Sequence, residues 1–322
     1  TIIVLLILAG VTIATLTGNN GILTRANEAQ IETEKAKEDE LRRLTALEAA
    51  TNIENQPYTD KNGDTTTIPA GFAVSQVEGE KTIDDGLVVI DCKGNEFVWI
   101  PTEVNEMATK IEGIDENDNQ NYQGIVTVDR EPDTLSNYDD NQTYLDIIKE
   151  VLVETKTGTE EENTSKYSNI NTFKKTMQED YNSMITSIEK YHGFYISRYE
   201  MSESAITNKV ASMANVSSLT GDENSANTWY GLYAYGKTYN TTSVGSSMIW
   251  GSQYDAMLRW MQKKGIDVNI NIGDKRNRTQ ITGNSETDVV KNIYDIYGCN
   301  YEWTLECIST NGRVVRGRLL QL

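Results

Sequence analysis

The chain has 322 residues, and its 48 acidic residues outnumber its 29 basic ones, giving a formal net charge of −19. Affinity for nucleic-acid phosphates comes mostly from Lys and Arg, so this balance disfavours a sequence-independent nucleic-acid binder and equally a protein that binds anionic lipid through a basic surface. A hydrophobic fraction of 38% is enough to build a core, and the length corresponds to one or two domains.

The first part of the chain is apolar and uncharged, since no charged residue precedes Arg25. Residues Thr1–Leu16 read TIIVLLILAGVTIATL, which as a helix is about 24 Å long, slightly short of the ~30 Å hydrocarbon core of a bilayer. Because Ile, Val and Leu occupy every face, we expect an anchor cut from a longer apolar segment, with a buried core helix as the alternative.

A charged helix is predicted over Ile22–Ala50, where the sequence is rich in Ala and in charged helix formers. Glu38 and Arg42, like Asp39 and Arg43, are spaced i,i+4 in the favourable orientation. The apolar stripe is thin, which indicates a solvated stalk; an oligomeric helix bundle is the alternative.

The N-terminal region resembles the start of type IV pilin-like proteins of Gram-positive gut bacteria, in which an apolar helix runs into an amphipathic stalk. The residues that carry the resemblance are TIIVLLILAGVTIATLTGNNGILTRANEA. The resemblance implies that residues 1–50 form an anchor and stalk, and that the protein is held at the surface of a Gram-positive-type bacterium. Thr1–Leu16 would contact either the membrane or the core of a filament.

The remaining chain, residues 51–322, has the pattern of a mixed domain. A β-hairpin is predicted from Leu87–Asp91 and Glu96–Ile100, two β-branched or aromatic runs joined through Lys93-Gly94-Asn95. Residues 102–134 are acidic and Asn-rich and are expected to form an exposed insertion. A strand is predicted in HGFYISRYEMS, His192–Ser202.

Three later helices are predicted from apolar residues at helical spacing. Their stripes are Tyr144, Leu145, Ile148, Val151 and Leu152; Phe173, Met177, Tyr181, Met184, Ile185 and Ile188; and Trp250, Tyr254, Met257, Leu258 and Met261, the last within a helix over about Ser247–Lys264. All three stripes are interpreted as core rather than as cofactor contacts.

Four segments in order resemble the formylglycine-generating enzyme family, also called sulfatase-modifying factors. They are NEFVWIP, GFYISRYE, GCNYEWTLE in place of the family's GN-x-WEW pattern, and RVVRG in place of its RGG strand. The resemblance implies an α+β fold, an irregular C-type-lectin-like domain, here following a long N-terminal helix. Because core sequence follows the RGG strand in the family, we expect this domain to be C-terminally incomplete.

The family's oxidase chemistry needs a copper-binding cysteine pair beyond the RGG strand, and the sequence given stops at Leu322. We therefore expect no copper, name no catalytic residue, and leave enzyme status uncertain with a non-catalytic role favoured. Cys299 and Cys307 are candidates for a disulfide, with free buried thiols as the alternative and Cys92 left over. His192 is interpreted as a surface or hydrogen-bonded histidine.

Two binding sites are proposed from the sequence. The resemblance implies calcium at Gly298, Asn300 and Glu302, through backbone carbonyls and the Glu carboxylate, and oxygen ligands of this kind suit a hard cation. In the segment Asn227–Asn240, interpreted as a loop, rigid amphipathic aromatic side chains suit recognition of a ligand. The candidate ligand-binding residues there are Trp229, Tyr230, Tyr233 and Tyr235.

The hypothesis that joins these features is a non-catalytic, surface-displayed module that binds an extracellular protein or glycan, with no nucleic-acid partner. Two alternatives stay open. One is a formylglycine-generating oxidase-like enzyme lacking its catalytic C-terminus, and the other is a structural subunit of a pilus-like filament.

Overall fold

A computed structural model describes residues 21–107, 170–203, 210–219, 229–239, 241, 243–263, 279–296, 298–300, 302–309 and 312–316. Thr1–Leu16, residues 108–134 of the acidic insertion, and the predicted helix over Tyr144–Leu152 lie outside the described residues. The helices are α1 Ile22–Thr51, α2 Val104–Met107, α3 Ile170–Tyr191, α4 Trp229–Gly236 and α5 Gly251–Lys263.

The strands are short and pair antiparallel throughout the described residues. They are β1 Gln56–Thr59, β2 Thr65–Ile68, β3 Phe72–Val74, β4 Val88–Asp91, β5 Glu96–Pro101, β6 Gly193–Ser197, β7 Ser202–Glu203, β8 Val210–Ala211, β9 Val289–Val290, β10 Ile293–Tyr294, β11 Glu302–Ser309 and β12 Gly312–Arg316. Strands β3-β4-β5-β6 form a four-stranded sheet, and the other strands form two-stranded pairs.

The predicted hairpin is confirmed as β4 and β5, with Val88 opposite Val98 and Ile90 opposite Glu96. Both faces of this hairpin are buried, because successive side chains of β4 lie in two different apolar clusters, one on each face of the sheet. Val88 and Ile90 pack against α5, and Val89 packs with Phe72 and Trp99 on the other face. A strand covered on both sides needs an unbroken apolar run, which is what Leu87–Ile90 supplies.

Helix α5 confirms the predicted helix near Ser247–Lys264 and the burial of its stripe. Tyr254, Met257, Leu258 and Met261 are all buried and form one core cluster with β4 and β5. The i, i+3, i+4, i+7 spacing places them on one face of the helix, and that face covers the sheet. Of the second stripe, Tyr181 and Ile188 on α3 are buried.

Helix α1 corrects the prediction of a solvated stalk over its C-terminal part. The N-terminal turns are exposed, but Thr45 and Ala49 are fully buried against β3 and β4. Both side chains are small, so the helix backbone comes close to the sheet. Arg42 also departs from the predicted pairing with Glu38: it reaches across to Glu80 and Glu96 of the body.

The segment Asn227–Asn240, predicted as a loop, contains helix α4. Its tertiary contacts explain the difference, since Leu232 and Tyr233 are buried and the Tyr233 hydroxyl donates to Asp180 of α3. The predicted strand over His192–Ser202 is present as the shorter β6.

The described architecture, an N-terminal helix followed by antiparallel sheets and packed helices, confirms the α+β class. None of the helices in the described ranges is both long and apolar enough to cross a membrane.

Candidate ligand-binding site

The centre of the molecule holds a buried network of two arginines and two glutamates. Arg198 directly follows β6, and its Nη1 lies 2.7 Å from both Glu80 Oε1 and Glu96 Oε2. Arg42 of α1 approaches the same two carboxylates, at 2.6 Å from Glu80 Oε1 and 2.8 Å from Glu96 Oε2. The two positive and two negative charges sum to zero, so each buried charge in the network has an opposite charge beside it.

Two tyrosine rings flank the Arg198 guanidinium. Its central carbon lies 5.6 Å from the centroid of Tyr199 and 5.3 Å from that of Tyr294, and the two rings lie 5.1 Å apart. A cation over an aromatic face is attracted by the negative face of the ring. These contacts orient the end of β6 against β10.

Glu200, the last residue of GFYISRYE, connects this region to the segment that resembles GN-x-WEW. Its Oε1 accepts a 2.7 Å hydrogen bond from the backbone N–H of Asn300, and its Oε2 accepts a 2.8 Å bond from Asn300 Nδ2. Asn300 Nδ2 also lies 2.5 Å from Ser218 Oγ. Burial raises the pKa of Glu200 to about 7, with Asp295 adding repulsion, although the Asn300 donors oppose the shift.

Cys299 stands where the family pattern has Asn, and it adopts φ +65°. Asn populates this left-handed region far more readily than most residues, because its short polar side chain bonds locally. The Cys299 thiol is buried and free and donates to Ser218 Oγ at 3.5 Å. Burial, with the nearby Glu200 charge, raises the pKa of this thiol well above its ordinary value, so it stays protonated and unreactive.

Glu302 begins β11 and is half-buried. Its Oε2 atom is buried and has no hydrogen-bond partner among the described residues. Burial raises the pKa of Glu302 well above its ordinary value, and the negative charges of Glu200, Asp288 and Asp295 raise it further. A carboxylate in this position is therefore costly unless a positive charge joins it.

Both glutamates are among the lining residues of a cavity of about 1190 Å³, somewhat larger than an ordinary ligand pocket. Its walls are mostly apolar and aromatic, and they come from β5, β6, α3, α5 and the segments around α4 and β10. The aromatic lining residues include Tyr199, Tyr294 and Trp303. Such walls, with a few convergent polar groups, are typical of a site for an organic ligand.

The residues selected from the sequence as ligand contacts lie on α4. Tyr233 is fully buried, and its hydroxyl donates to Asp180, which also pairs with Lys237 at 2.7 Å. Tyr235 is half-buried. The side chains of Trp229 and Tyr230 lie outside the described residues.

Of the proposed calcium ligands, Gly298 and Asn300 lie in a bend, Glu302 is the first residue of β11, and Asn300 is the one hydrogen-bonded to Glu200. Across the described part of the chain, no three His, Cys, Asp or Glu side chains are grouped as a metal site. Cys92 is exposed, and the side chain of Cys307, on β11, lies outside the description.

His192 lies at the other side of β5, at the entrance to a second cleft of about 450 Å³. Its Nδ1 is 2.8 Å from Glu103 Oε1, and both side chains are exposed. It therefore matches the interpretation of a hydrogen-bonded surface histidine.

Sequence reasoning did not select Glu200, Arg198 or Ser218. A sequence signal for Glu200 did exist, because it is the last residue of GFYISRYE, one of the four segments that carry the family resemblance. Its side chain bonds to Asn300 of another of these segments. Ser218 had none, since it lies in a polar stretch without periodicity and reaches the site only through tertiary folding.

Comparisons of the chain with protein-family models, curated proteins and solved structures find no match.

Proposed function

We propose that the chain is a non-catalytic, surface-displayed ligand-binding module with a formylglycine-generating-enzyme-like, C-type-lectin-type domain. The observation that carries the proposal is spatial: the four segments that suggested the family, scattered over more than 200 residues of sequence, are neighbours in the fold. NEFVWIP and GFYISRYE pair as β5 and β6, and GCNYEWTLE and RVVRG pair through β11 and β12. Glu200 joins the two pairs through Asn300.

A large cavity with aromatic walls beside this junction supports a binding role. The partner we propose is an extracellular protein or glycan. A catalytic role has less support, because the described thiols, Cys92 and Cys299, are an exposed and a buried single residue rather than a pair.

The proposed display at the surface depends on Thr1–Leu16, which would hold the chain in the membrane or in the core of a filament. Labelling of intact native cells with a membrane-impermeant amine reagent tests it. Exposed lysines are present on the stalk, as Lys37, and on the body, as Lys81, so we expect labelling before lysis, while a cytoplasmic protein of the same cells stays unlabelled. Labelling that requires lysis would refute surface display.

Electron microscopy of the same cells separates the two ways of being held at the surface. Protein dispersed in the membrane agrees with an anchored binding module. Helical filaments that contain this chain would instead favour the structural-subunit alternative, for which the exposed apolar side chains Leu44 and Leu47 of α1 are the supporting observation.

Calcium is the ion that the family resemblance suggests for Gly298, Asn300 and Glu302, and we propose it as a ligand of this turn. The buried, unpartnered Glu302 Oε2 supports it, because a hard cation would supply the missing positive partner. Calorimetric titration with calcium should give heat and raise Tm in the wild type and should give neither in Glu302→Gln. Absence of both effects in the folded wild type would remove calcium from the site.

A further inference from the structure

Strand β6 lies at one edge of the four-stranded sheet, because the strand order in that sheet is β3-β4-β5-β6. One side of β6 is paired antiparallel with β5, from Gly193 opposite Pro101 to Ser197 opposite Phe97. In an antiparallel pair, alternate residues direct their backbone N–H and C=O groups towards the partner strand, and the residues between them direct theirs away. The other side of β6 therefore presents a row of backbone donors and acceptors.

The hydrogen bonds at the two ends of β6 identify which residues face outward. Thr102 N–H donates to His192 C=O at 3.0 Å, and Arg198 N–H donates to Glu96 C=O at 3.0 Å. The backbone groups of the even-numbered residues of β6 therefore face β5. The residues whose backbone groups face away from β5 are Gly193, Tyr195 and Ser197. Among the described residues, no backbone group bonds to this outer side of the strand.

The cavity of about 1190 Å³ follows this open edge. Every residue of β6 is among its lining residues, and all of them except Gly193 are only half-buried. Strand β4, in the interior of the same sheet, is instead buried at every position. The cavity thus occupies the place of a further strand, which in a continued sheet would lie about 4.8 Å from β6.

The cavity is walled by apolar side chains on both faces of the sheet. On one face its lining includes Tyr254 and Met257, from the cluster that joins β4 to α5. On the other face it includes Phe72 and Trp99, from the second apolar cluster. A strand that is covered on both faces carries a continuous apolar run rather than an alternating one. The occupant that fits these walls is an extended segment with apolar side chains on both faces.

The chemistry of the edge indicates a polypeptide. Proteins protect exposed sheet edges with charged side chains, Pro or β-bulges, and the sequence of β6, GFYIS, has no charge, no Pro and a regular register with β5. An extended peptide repeats N–H and C=O groups at the spacing of this edge, so it can bond along the whole strand. The cavity also exceeds the roughly 300–1,000 Å³ of a small-molecule pocket.

A second copy of this chain does not fit as the partner through its own β6. The edge is recessed, because side chains of α3 and residues 243–250 form walls of the same cavity. Two recessed edges cannot approach to the spacing of paired strands, whereas a free extended segment can enter the cavity.

We propose, on the basis of the binding function proposed above, that this cavity binds an extended segment of an extracellular protein, which pairs with the outer edge of β6 as a further strand of the sheet. The segment has apolar side chains on both faces, and its backbone bonds to Gly193, Tyr195 and Ser197. The length of β6 sets its paired part at five residues. The proposal selects a protein rather than a glycan as the partner of the module.

A matched pair of peptides tests the proposal on the full chain. The probe is acetyl-Lys-Val-Tyr-Val-Ile-Val-Thr-Lys-amide, and the control has the same side chains with N-methyl groups on the central Val-Ile-Val. Three consecutive N-methyl groups remove backbone donors from both edges of the peptide. Calorimetric titration should show the probe binding at least about tenfold tighter than the control, because strand addition depends on main-chain hydrogen bonds.

Equal binding of the two peptides would overturn strand addition. Binding of neither would also overturn the proposal, and it would leave the binding module standing with a glycan as its partner. Failure of surface labelling would refute display alone, because the peptide measurements do not depend on where the protein resides.

Variants at one position locate the binding edge. Ser197→Pro removes an outward N–H and leaves the hydrogen bonds to β5, and Pro is tolerated at such positions of an edge strand. Ser197→Ala is the matched control, because it changes the side chain and keeps the N–H. Ser197→Pro should weaken binding of the probe by about fivefold or more, and Ser197→Ala should leave it within about twofold. Wild-type affinity in a folded Ser197→Pro protein would overturn the assignment to β6.

Amide hydrogen exchange resolved by NMR reads the same edge without a variant. In the peptide-free chain the N–H groups of Phe194 and Ile196 should be protected, while those of Tyr195 and Ser197 should exchange and become protected when the probe binds. Protection of the two outward amides before the probe is added would show that another segment or a second copy already covers the edge. That result would overturn the proposal, as would binding of the probe without any change at these amides.

Discussion

At the scale of single residues, the fold depends on polar side chains that organise backbone around them. Asp60 is the clearest case outside the binding site. Its Oδ1 accepts from the N–H groups of Asn62 and Asp64 at 2.8 and 3.0 Å, and its Oδ2 accepts from the N–H of Ile83 at 2.9 Å. One carboxylate thus closes the β1–β2 turn and ties it to a distant segment.

Replacing Asp60 by Asn should lower the free energy of unfolding by roughly 1–3 kcal/mol, because a charged acceptor of three amides becomes a neutral one. Asp64→Asn, at an exposed position of the same turn, is the matched control and should change stability little. Urea unfolding at neutral pH measures both variants. Equal losses in the two would contradict the role assigned to Asp60.

The same contact predicts a pH dependence. Burial alone would raise the pKa of Asp60, but the amide donors outweigh it and hold the pKa below its ordinary value of 3.8. The unfolded chain therefore binds this proton first as the pH falls, so the stabilisation is complete above about pH 4 and is lost as the pH falls through the folded-state pKa. The free energy of unfolding of Asp60→Asn should fall less steeply with decreasing pH than that of the wild type.

At the scale of secondary-structure elements, α1 joins the N-terminal region to the body. Its exposed N-terminal turns agree with a stalk, but its last turns pack on β3 and β4 through Thr45 and Ala49, and Arg42 enters the central ion network. Arg198 belongs to the same network and directly precedes Tyr199 and Glu200 in the chain. The helix is therefore linked to the binding site through the ion network. The orientation of the stalk is thereby fixed relative to the site.

Arg42→Met should destabilise the protein by about 2 kcal/mol or more, because it leaves Glu80 and Glu96 with one arginine between them in a buried setting. Arg43→Met removes the same charge from the exposed neighbouring position and should have little effect. Unfolding midpoints measure stability, and hydrogen exchange over Leu41–Thr51 measures docking of the helix. Normal protection there in Arg42→Met would contradict the link between helix and network.

At the scale of the whole molecule, charge is distributed in two ways that act together. Along the sequence, all 77 charged residues follow the apolar N-terminal segment, which leaves the excess of −19 on the stalk and body. In space, two buried arginines and two buried glutamates form a neutral network, while the binding cavity keeps Glu200 and Glu302 without a basic partner in its described lining. The overall acidity favours solubility of the body.

Local patterns were sufficient to predict several elements. The apolar run before Lys93-Gly94-Asn95 predicted the β4–β5 hairpin, and the spacing of Tyr254, Met257, Leu258 and Met261 predicted α5. These elements follow from periodicity because one side of each must be buried whatever its partner is. Helix α4 was missed because Leu232 and Tyr233 are buried by contacts with distant segments.

The sequence by itself determined the hairpin, the long N-terminal helix and the separation of an apolar start from an acidic body, since all of these depend on composition and local spacing. The α+β class was expected from the family resemblance, and the fold confirms that class. Tertiary structure alone decided that Arg42 pairs with Glu80 and Glu96, and that Glu200 meets Asn300 and lines the cavity with Glu302. The physical reason is distance along the chain: the bonded partners are between 38 and 100 residues apart, and only folding brings them within hydrogen-bond distance.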